Sequence, residues 1–184
     1  RVIRHRFTKE LAASTIDSAV LRRYLIQDHR FLDAFVVLLS SIIAHLPTLS
    51  DRIPGCQFLA VVTGPENTYF ERSLKALGSD DEQQRAAIPN ATVTTKFCNL
   101  MTSVARSGRL ADMLAVIVVC EWSYSSWGHL VAPETVRDGP HVSFVTYEWV
   151  DLHSGPAFAA VVEYLRALLD REGERLQTNG DADC

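Results

Sequence analysis

Residues 118–128, Val-Val-Cys-Glu-Trp-Ser-Tyr-Ser-Ser-Trp-Gly, bring a thiol, a carboxylate and a phenol together at the end of the most apolar run of the chain. On a helix, Cys120, Tyr124 and Trp127 share one face, and Glu121 lies on the adjacent face. A thiol can act as a nucleophile, a carboxylate can move protons, and aromatic rings can enclose a flat substrate. Buried cysteines and aromatic stripes are usually part of a packed core, so the spacing alone favours core packing over catalysis.

A second polar group interrupts the apolar pattern of residues 24–32, Tyr-Leu-Ile-Gln-Asp-His-Arg-Phe-Leu. Asp28 lies between Tyr24 and Phe31 on the side of this helix that otherwise faces inward. Burial of a bare carboxylate is costly, so Asp28 must be paired, hydrogen-bonded or functional. An ion pair with a nearby arginine at the surface is the alternative that position alone leaves open. His29 points about 100° away from Asp28, which makes it a boundary residue.

These residues belong to a chain whose apolar pattern is helical almost throughout, with apolar residues at three- and four-residue spacing. The pattern predicts helices over residues 17–46, 50–78, 91–106, 110–131, 141–153 and 156–176. It also predicts a kink at Gly64-Pro65 and a short helix that starts at residue 79. The β-branched run at 116–119 has helical flanks, so we do not assign it to a strand. We predict an all-α bundle of about six to eight helices. It forms a single domain over 1–176, followed by a frayed tail over 177–184.

Composition and charge argue against several classes of function. The net charge is −4 and the basic residues are scattered, so we expect neither a nucleic-acid partner nor binding to a membrane surface. The longest apolar run, 113–120, is far shorter than the roughly 20 residues of a membrane span, and the first residues lack a signal-peptide pattern. We therefore expect a soluble, cytoplasmic protein. The four cysteines stand far apart, which predicts neither disulfides nor a zinc site. We expect Cys56 and Cys98 to be core thiols, and Cys184 lies in the tail.

The two motifs at 24–32 and 120–128 resemble those of the TenA family, which includes thiaminase II and the aminopyrimidine aminohydrolases. The resemblance extends from about residue 7 to residue 164, and the order and spacing of the motifs both fit. It implies a helical fold like that of haem oxygenase, a homo-oligomer (tetramer or dimer), and cleavage of the C–N bond that joins an aminomethylpyrimidine to its amine or thiazole partner. Cys120 would be the nucleophile, Asp28 would bind the aminopyrimidine and exchange protons with it, and Tyr124 would orient the ring.

Aromatic walls would enclose the flat substrate, and the candidates are Phe31, Tyr69, Phe70 and Trp127. The carboxylates of Asp28 and Glu121 should raise the pKa of the Cys120 thiol, because neighbouring negative charge opposes thiolate formation. Activation would then need the substrate, with a carboxylate taking the thiol proton as the ring nitrogen is protonated. Free Cys120 should react slowly with alkylating reagents.

The sequence departs from the family pattern at several pocket positions. Phe31 stands where many members have a tyrosine, Lys96 is the best match to an expected pocket tyrosine, and His153 replaces another tyrosine with an imidazole that could titrate near neutrality. Family members also have a C-terminal glutamate that contacts the pyrimidine, and we find no match for it. Glu66 or Glu121 takes its place, the chain has been shortened, or the activity has changed.

Three functions remain open at this point. The first is hydrolysis of aminopyrimidines, which depends on Asp28, Cys120 and Tyr124, with Glu121 as a further acid or base. The second is a non-catalytic or repurposed pocket for a flat heteroaromatic ligand or a partner protein, which the departures favour. The third, a haem or di-iron oxygenase, follows from the implied fold alone. The sequence lacks a Glu-x-x-His pair or a convincing axial histidine, so we expect no metal and no cofactor.

Overall fold

The long helix α2, Ser18–His45, forms the centre of the bundle. The Asp17 side chain caps its first turn by accepting hydrogen bonds from the backbone N–H groups of Ala19 and Val20, and Pro47 follows its last residues. Helix α2 packs most extensively against α6, Thr92–Ser107, and also against α3, Leu49–Val61, and α7, Leu110–Val131. Because α2 and α7 carry the two sequence motifs, this contact brings the motifs together.

The computed structural model describes residues 2–182, with side chains for 3–178. Besides α2 and α7, the α-helices are α1 (Arg6–Ala12), α3 (Leu49–Val61), α4 (Asn67–Ala76), α5 (Glu82–Ala87), α6 (Thr92–Ser107), α8 (Phe144–Ser154) and α9 (Pro156–Ala182). The described residues contain no strand, so the all-α prediction is confirmed. Across residues 2–182 the structure has no helix with both the length and the apolarity required to cross a membrane.

The predicted kink at Gly64-Pro65 is a π-helical turn, Val62–Glu66, which continues α3 directly into α4. Proline lacks an N–H group, so Pro65 cannot donate the backbone hydrogen bond that a regular α-helix requires there. Single π turns are common at functional sites because they redirect side chains. Here the turn ends at Glu66, whose carboxyl group lines the cavity described below.

Helix α7 starts and ends where the pattern predicts, and it follows Gly108, which ends α6 in the left-handed conformation (φ 70°). Other boundaries differ. Helix α5 starts at Glu82, where the Asp81 side chain caps it, and not at residue 79. Helix α8 starts at Phe144 because the Ser143 side chain caps it, and α9 continues past Leu176 to Ala182. The remainder of the predicted tail, with Cys184, lies outside the described residues.

Candidate active site

A closed cavity lies at the meeting point of α2, α3, the π turn, α7 and α8. Its volume of about 10 Å³ corresponds to a single water molecule. Its polar wall consists of Asp28, Glu66, Glu121, Tyr124 and His153. Its apolar wall consists of Phe31, Leu32, Phe35, Phe58, Val62 and Trp149. The structure therefore gathers residues from both sequence motifs around one space.

Asp28 is the centre of the polar wall and is only 8% exposed. Its Oδ1 atom accepts a hydrogen bond of 2.6 Å from the hydroxyl group of Tyr124, and the Tyr24 hydroxyl makes a long contact of 3.5 Å with that of Tyr124. Its Oδ2 atom is buried and has no hydrogen-bond partner within residues 3–178. Burial raises the pKa of Asp28 to about 7, and the hydrogen bond from Tyr124 acts in the opposite direction. The surface ion pair that the sequence left open does not form.

Two glutamates share the cavity with Asp28. Burial raises the pKa of Glu121 to about 8, and the charge of Asp28 adds to the rise, whereas the Cys120 thiol opposes it. The pKa of the half-buried Glu66 is also raised to about 8, first by burial and then by the charges of Glu121 and Asp28. At neutral pH these side chains are mostly protonated carboxylic acids, which can donate protons as well as accept them. In the part of the chain that the structure describes, no cluster of three or more His, Cys, Asp or Glu is arranged to hold a metal ion.

Cys120 is 6% exposed and does not line the cavity, whereas the adjacent Glu121 does. The helical spacing places Cys120, Tyr124 and Trp127 on one face of α7, and this face was a candidate for the cavity wall. Instead α7 is rotated so that Glu121 and Tyr124 form the wall, with Trp127 packed against the rings of Tyr124 and His153. Burial raises the pKa of the Cys120 thiol well above its usual value, and the charges of Glu121, Asp28 and Glu66 add to this effect. The predicted direction of that shift is confirmed.

His153 lies on the far wall of the cavity, and its Nδ1 atom is 2.8 Å from the backbone oxygen of Trp149. Burial lowers its pKa to about 4, so the expectation that it titrates near neutrality is wrong. Its position depends on Gly128 of α7, where a Cβ atom would lie 2.5 Å from the backbone oxygen of His153. Only glycine allows α8 to approach α7 this closely.

Trp149 is the aromatic wall that the sequence analysis missed. It lies four residues before His153, on the same face of α8, and that spacing is the signal that could have identified it. Two of the expected wall residues support Trp149 from behind. The ring of Tyr69 stacks on it with centroids 5.1 Å apart while its hydroxyl group donates to the backbone oxygen of Val145, and Phe70 packs edge-on at 5.3 Å.

A second, open cavity of about 280 Å³ lies between α2 and α6. It shares Asp28, Phe31 and Tyr124 with the closed cavity, and Phe97 adds to its wall by stacking on Phe31 with centroids 6.0 Å apart. Lys96, the residue expected in the pocket, is exposed and lines neither cavity, because it points about 100° away from Phe97 on α6. Phe31 and Tyr124 thus separate a buried polar site from a cavity large enough for a small ring.

The structure also places His29 and the two cysteines that were expected to be core thiols. His29 faces away from both cavities, hydrogen-bonds Asn67 at 3.0 Å and stacks on Phe70, in agreement with a boundary position. Cys98 is half-buried, and Cys56 is exposed, so the expectation that Cys56 is a core thiol is wrong. Cys56 follows Pro54 and Gly55 in α3, and only Gly55 of these faces the core.

Comparison with known proteins gives relatives of the same fold. The chain is 24% identical over 179 residues to an aminopyrimidine aminohydrolase of Halalkalibacterium halodurans, a match that covers 97% of this chain and 78% of that protein. A crystal structure of a TenA family transcription regulator from Silicibacter sp. TM1040 superposes with a TM-score of 0.79 at 21% identity, covering 95% of this chain and 74% of that one. A TenA homologue from Pyrococcus furiosus superposes with a TM-score of 0.78 at 18% identity, covering 94% and 78%.

The structural likenesses, all below 25% identity, establish the fold. The family assignment depends on the sequence, because the model of the TENA/THI-4/PQQC family matches residues 1–178. The chain therefore belongs to the TENA/THI-4/PQQC family.

Proposed function

We propose that this protein hydrolyses the exocyclic C–N bond of aminomethylpyrimidines, releasing an amine and a hydroxymethylpyrimidine. The observation that carries the proposal is the buried, unpartnered Oδ2 atom of Asp28, which needs an N–H donor such as the 4-amino group of a pyrimidine. Glu66 and Glu121, in the same cavity, supply the proton donors and acceptors that the reaction requires. The name of the relative from Halalkalibacterium halodurans supports this class of substrate.

In the proposed reaction, the Cys120 sulfur adds to a ring carbon of the pyrimidine. The thiol proton passes to a carboxylate, and the ring nitrogen takes a proton from a carboxylic acid. The electrons of the resulting enamine expel the amine from the exocyclic methylene carbon, and the departing nitrogen takes a proton from Glu66 or Glu121. Water then adds to that methylene carbon and gives its proton to a carboxylate. The sulfur and the ring proton leave, which restores the aromatic ring and the thiol.

The raised pKa of the Cys120 thiol fits a mechanism in which the substrate triggers activation. A free thiolate is disfavoured next to Glu121, Asp28 and Glu66. Once a pyrimidine occupies the cavity, transfer of the thiol proton to the ring through a carboxylate creates no net charge. The closed cavity holds only about one water molecule. Phe31 or Tyr124 must therefore move before the pyrimidine can pass from the open cavity into the closed cavity.

The test measures release of ammonia and pyrimidine product from aminomethylpyrimidine, its formyl derivative and thiamin. Wild type is compared with Cys120→Ala and Asp28→Asn, and Cys56→Ala serves as the matched control because Cys56 is an exposed thiol that does not line the cavity. We expect both site variants to lose turnover by at least about a thousandfold and the control to retain it. Turnover that persists in Cys120→Ala would remove the cysteine from the mechanism.

A second candidate function is binding of a flat heteroaromatic ligand without catalysis. It is favoured by the position of Cys120 behind the cavity wall and by the small volume of the cavity. A binding protein should tolerate Cys120→Ser and should be stabilised against thermal unfolding by aminopyrimidines without consuming them. Ammonia release that depends on Cys120 would exclude this alternative.

A further inference from the structure

His153 carries a polar atom that has no hydrogen-bond partner in the part of the chain whose side chains are described. The side chain is 5% exposed and lines the closed cavity. A carbonyl oxygen can only accept, so the contact of 2.8 Å with the backbone oxygen of Trp149 requires the proton of the neutral imidazole to sit on Nδ1. Nε2 is then a bare acceptor, and within residues 3–178 it makes no hydrogen bond.

The surrounding rings hold this acceptor in a fixed orientation. The imidazole packs against Trp149, Tyr124 and Phe158, with centroids at 4.3, 4.8 and 5.1 Å. The close contact between Gly128 and the backbone of His153 fixes the base of the side chain. The lowered pKa keeps the ring neutral at physiological pH, so Nε2 remains an acceptor throughout the range in which the protein is used.

We propose that His153 determines substrate specificity by accepting a hydrogen bond at Nε2 from an N–H of the departing nitrogen. This inference rests on the proposed function, in which the 4-amino group of the pyrimidine pairs with Asp28. The exocyclic amine is then the remaining N–H donor of the substrate. A primary ammonium or a formamide satisfies Nε2, whereas the quaternary nitrogen of a thiazolium has no proton and leaves Nε2 without a hydrogen bond from the substrate. The site thus selects amines and amides as leaving groups over thiamin.

The aromatic rings around His153 would produce the opposite preference if they, and not Nε2, determined which leaving group binds. Aromatic cages bind quaternary ammonium groups by cation–π attraction, so a wall that acted through its rings would accept or prefer a quaternary nitrogen. The carboxyl oxygens of Asp28, Glu66 and Glu121 can also accept a hydrogen bond from an N–H. Variants at His153 therefore show whether a preference for a nitrogen that carries a proton comes from Nε2.

The experiment uses four aminomethylpyrimidines whose exocyclic nitrogen carries zero, one, two or three methyl groups in its cationic form. Each step adds one methyl group, but only the last step removes the last N–H. Both kcat/KM and binding, by thermal shift or calorimetry, are measured for wild type, His153→Phe and His153→Gln. We expect the last step to cost wild type about tenfold to a hundredfold more than the earlier steps. His153→Phe should abolish that extra loss, and His153→Gln, which restores an acceptor, should recover part of it.

A uniform loss across the series, or an extra loss that persists in His153→Phe, would overturn the inference. Tighter binding of the trimethyl compound by wild type would show that the aromatic rings around His153, and not Nε2, determine the preference. That result would also overturn the inference. If no compound is turned over but the last step still weakens binding in wild type, the proposed hydrolysis fails and the acceptor role of His153 stands. If His153→Phe does not fold, the wild-type series with His153→Gln decides the question.

Discussion

Asp28→Asn is expected to increase the stability of the protein, relative to wild type, as the pH rises. Asp28 is 8% exposed, and burial raises its carboxyl pKa from 3.8 to about 7. A carboxyl group whose pKa is raised by folding contributes stability that is full below its unfolded pKa and is lost as the pH rises through its folded pKa. A rise from 3.8 to about 7 corresponds to a total loss of about 4 kcal/mol as an upper value.

The asparagine variant does not ionise and so escapes this loss. Its side-chain oxygen can still accept the 2.6 Å hydrogen bond from Tyr124, whereas its amide N–H group, at the position of Oδ2, has no acceptor and costs about 1–3 kcal/mol. Near pH 5 the two effects are of similar size. Between about pH 5 and about pH 8, we expect the difference in unfolding free energy to shift by about 2–3 kcal/mol in favour of the variant.

Urea unfolding at a series of pH values measures this shift directly. Asp33→Asn is the matched control, because Asp33 is an exposed aspartate on the same helix. A flat difference for Asp28→Asn would mean that burial does not raise the Asp28 pKa, and the electrostatic reasoning would be refuted. A variant that gains stability while losing turnover would identify Asp28 as a residue kept for function at a cost in stability.

Two further predictions concern α7. Cys120 should react with iodoacetamide at least about a hundredfold more slowly than the exposed Cys56 near neutral pH, because only a thiolate reacts and the Cys120 pKa is raised. Mass spectrometry of the labelled peptides measures both rates, and equal rates would contradict this prediction. Gly128→Ala should destabilise the protein by about 1–3 kcal/mol, since its Cβ atom would lie 2.5 Å from the backbone oxygen of His153. Gly64→Ala is the control for thermal unfolding, because its Cβ atom would meet nothing within 4 Å, and equal melting temperatures for the two variants would refute the packing argument.

The sequence predicted every described α-helix except the short α1, because apolar spacing and capping residues are local signals. It predicted helix rotation less well. Helix α7 is apolar on most sides, so its pattern does not specify whether Cys120 or Glu121 faces the cavity. On α6 the apolar pattern does favour Phe97 over Lys96, and alignment to the family motif led to the wrong residue. Contacts such as that of Glu66 with the cavity depend on a π turn, which periodicity does not reveal.

The pKa values of the cavity side chains predict the pH range in which the proposed reaction runs. Asp28, with a pKa of about 7, can accept a proton only above neutrality, whereas Glu66 and Glu121, with pKa values of about 8, can donate protons only below that value. The pH profile of kcat/KM should therefore rise through about 7 and fall through about 8.

His153 also lies in the cavity, and a histidine is usually the expected base near neutral pH. Its pKa of about 4 keeps it neutral across the whole profile, so its ionisation causes neither the rise through about 7 (the acidic limb) nor the fall through about 8 (the basic limb). The His153→Gln variant should change the ratio of rates among substrates but leave both limbs in place. An acidic limb that disappears in this variant would assign the base to the imidazole, and the carboxyl groups would then serve only to bind the ring.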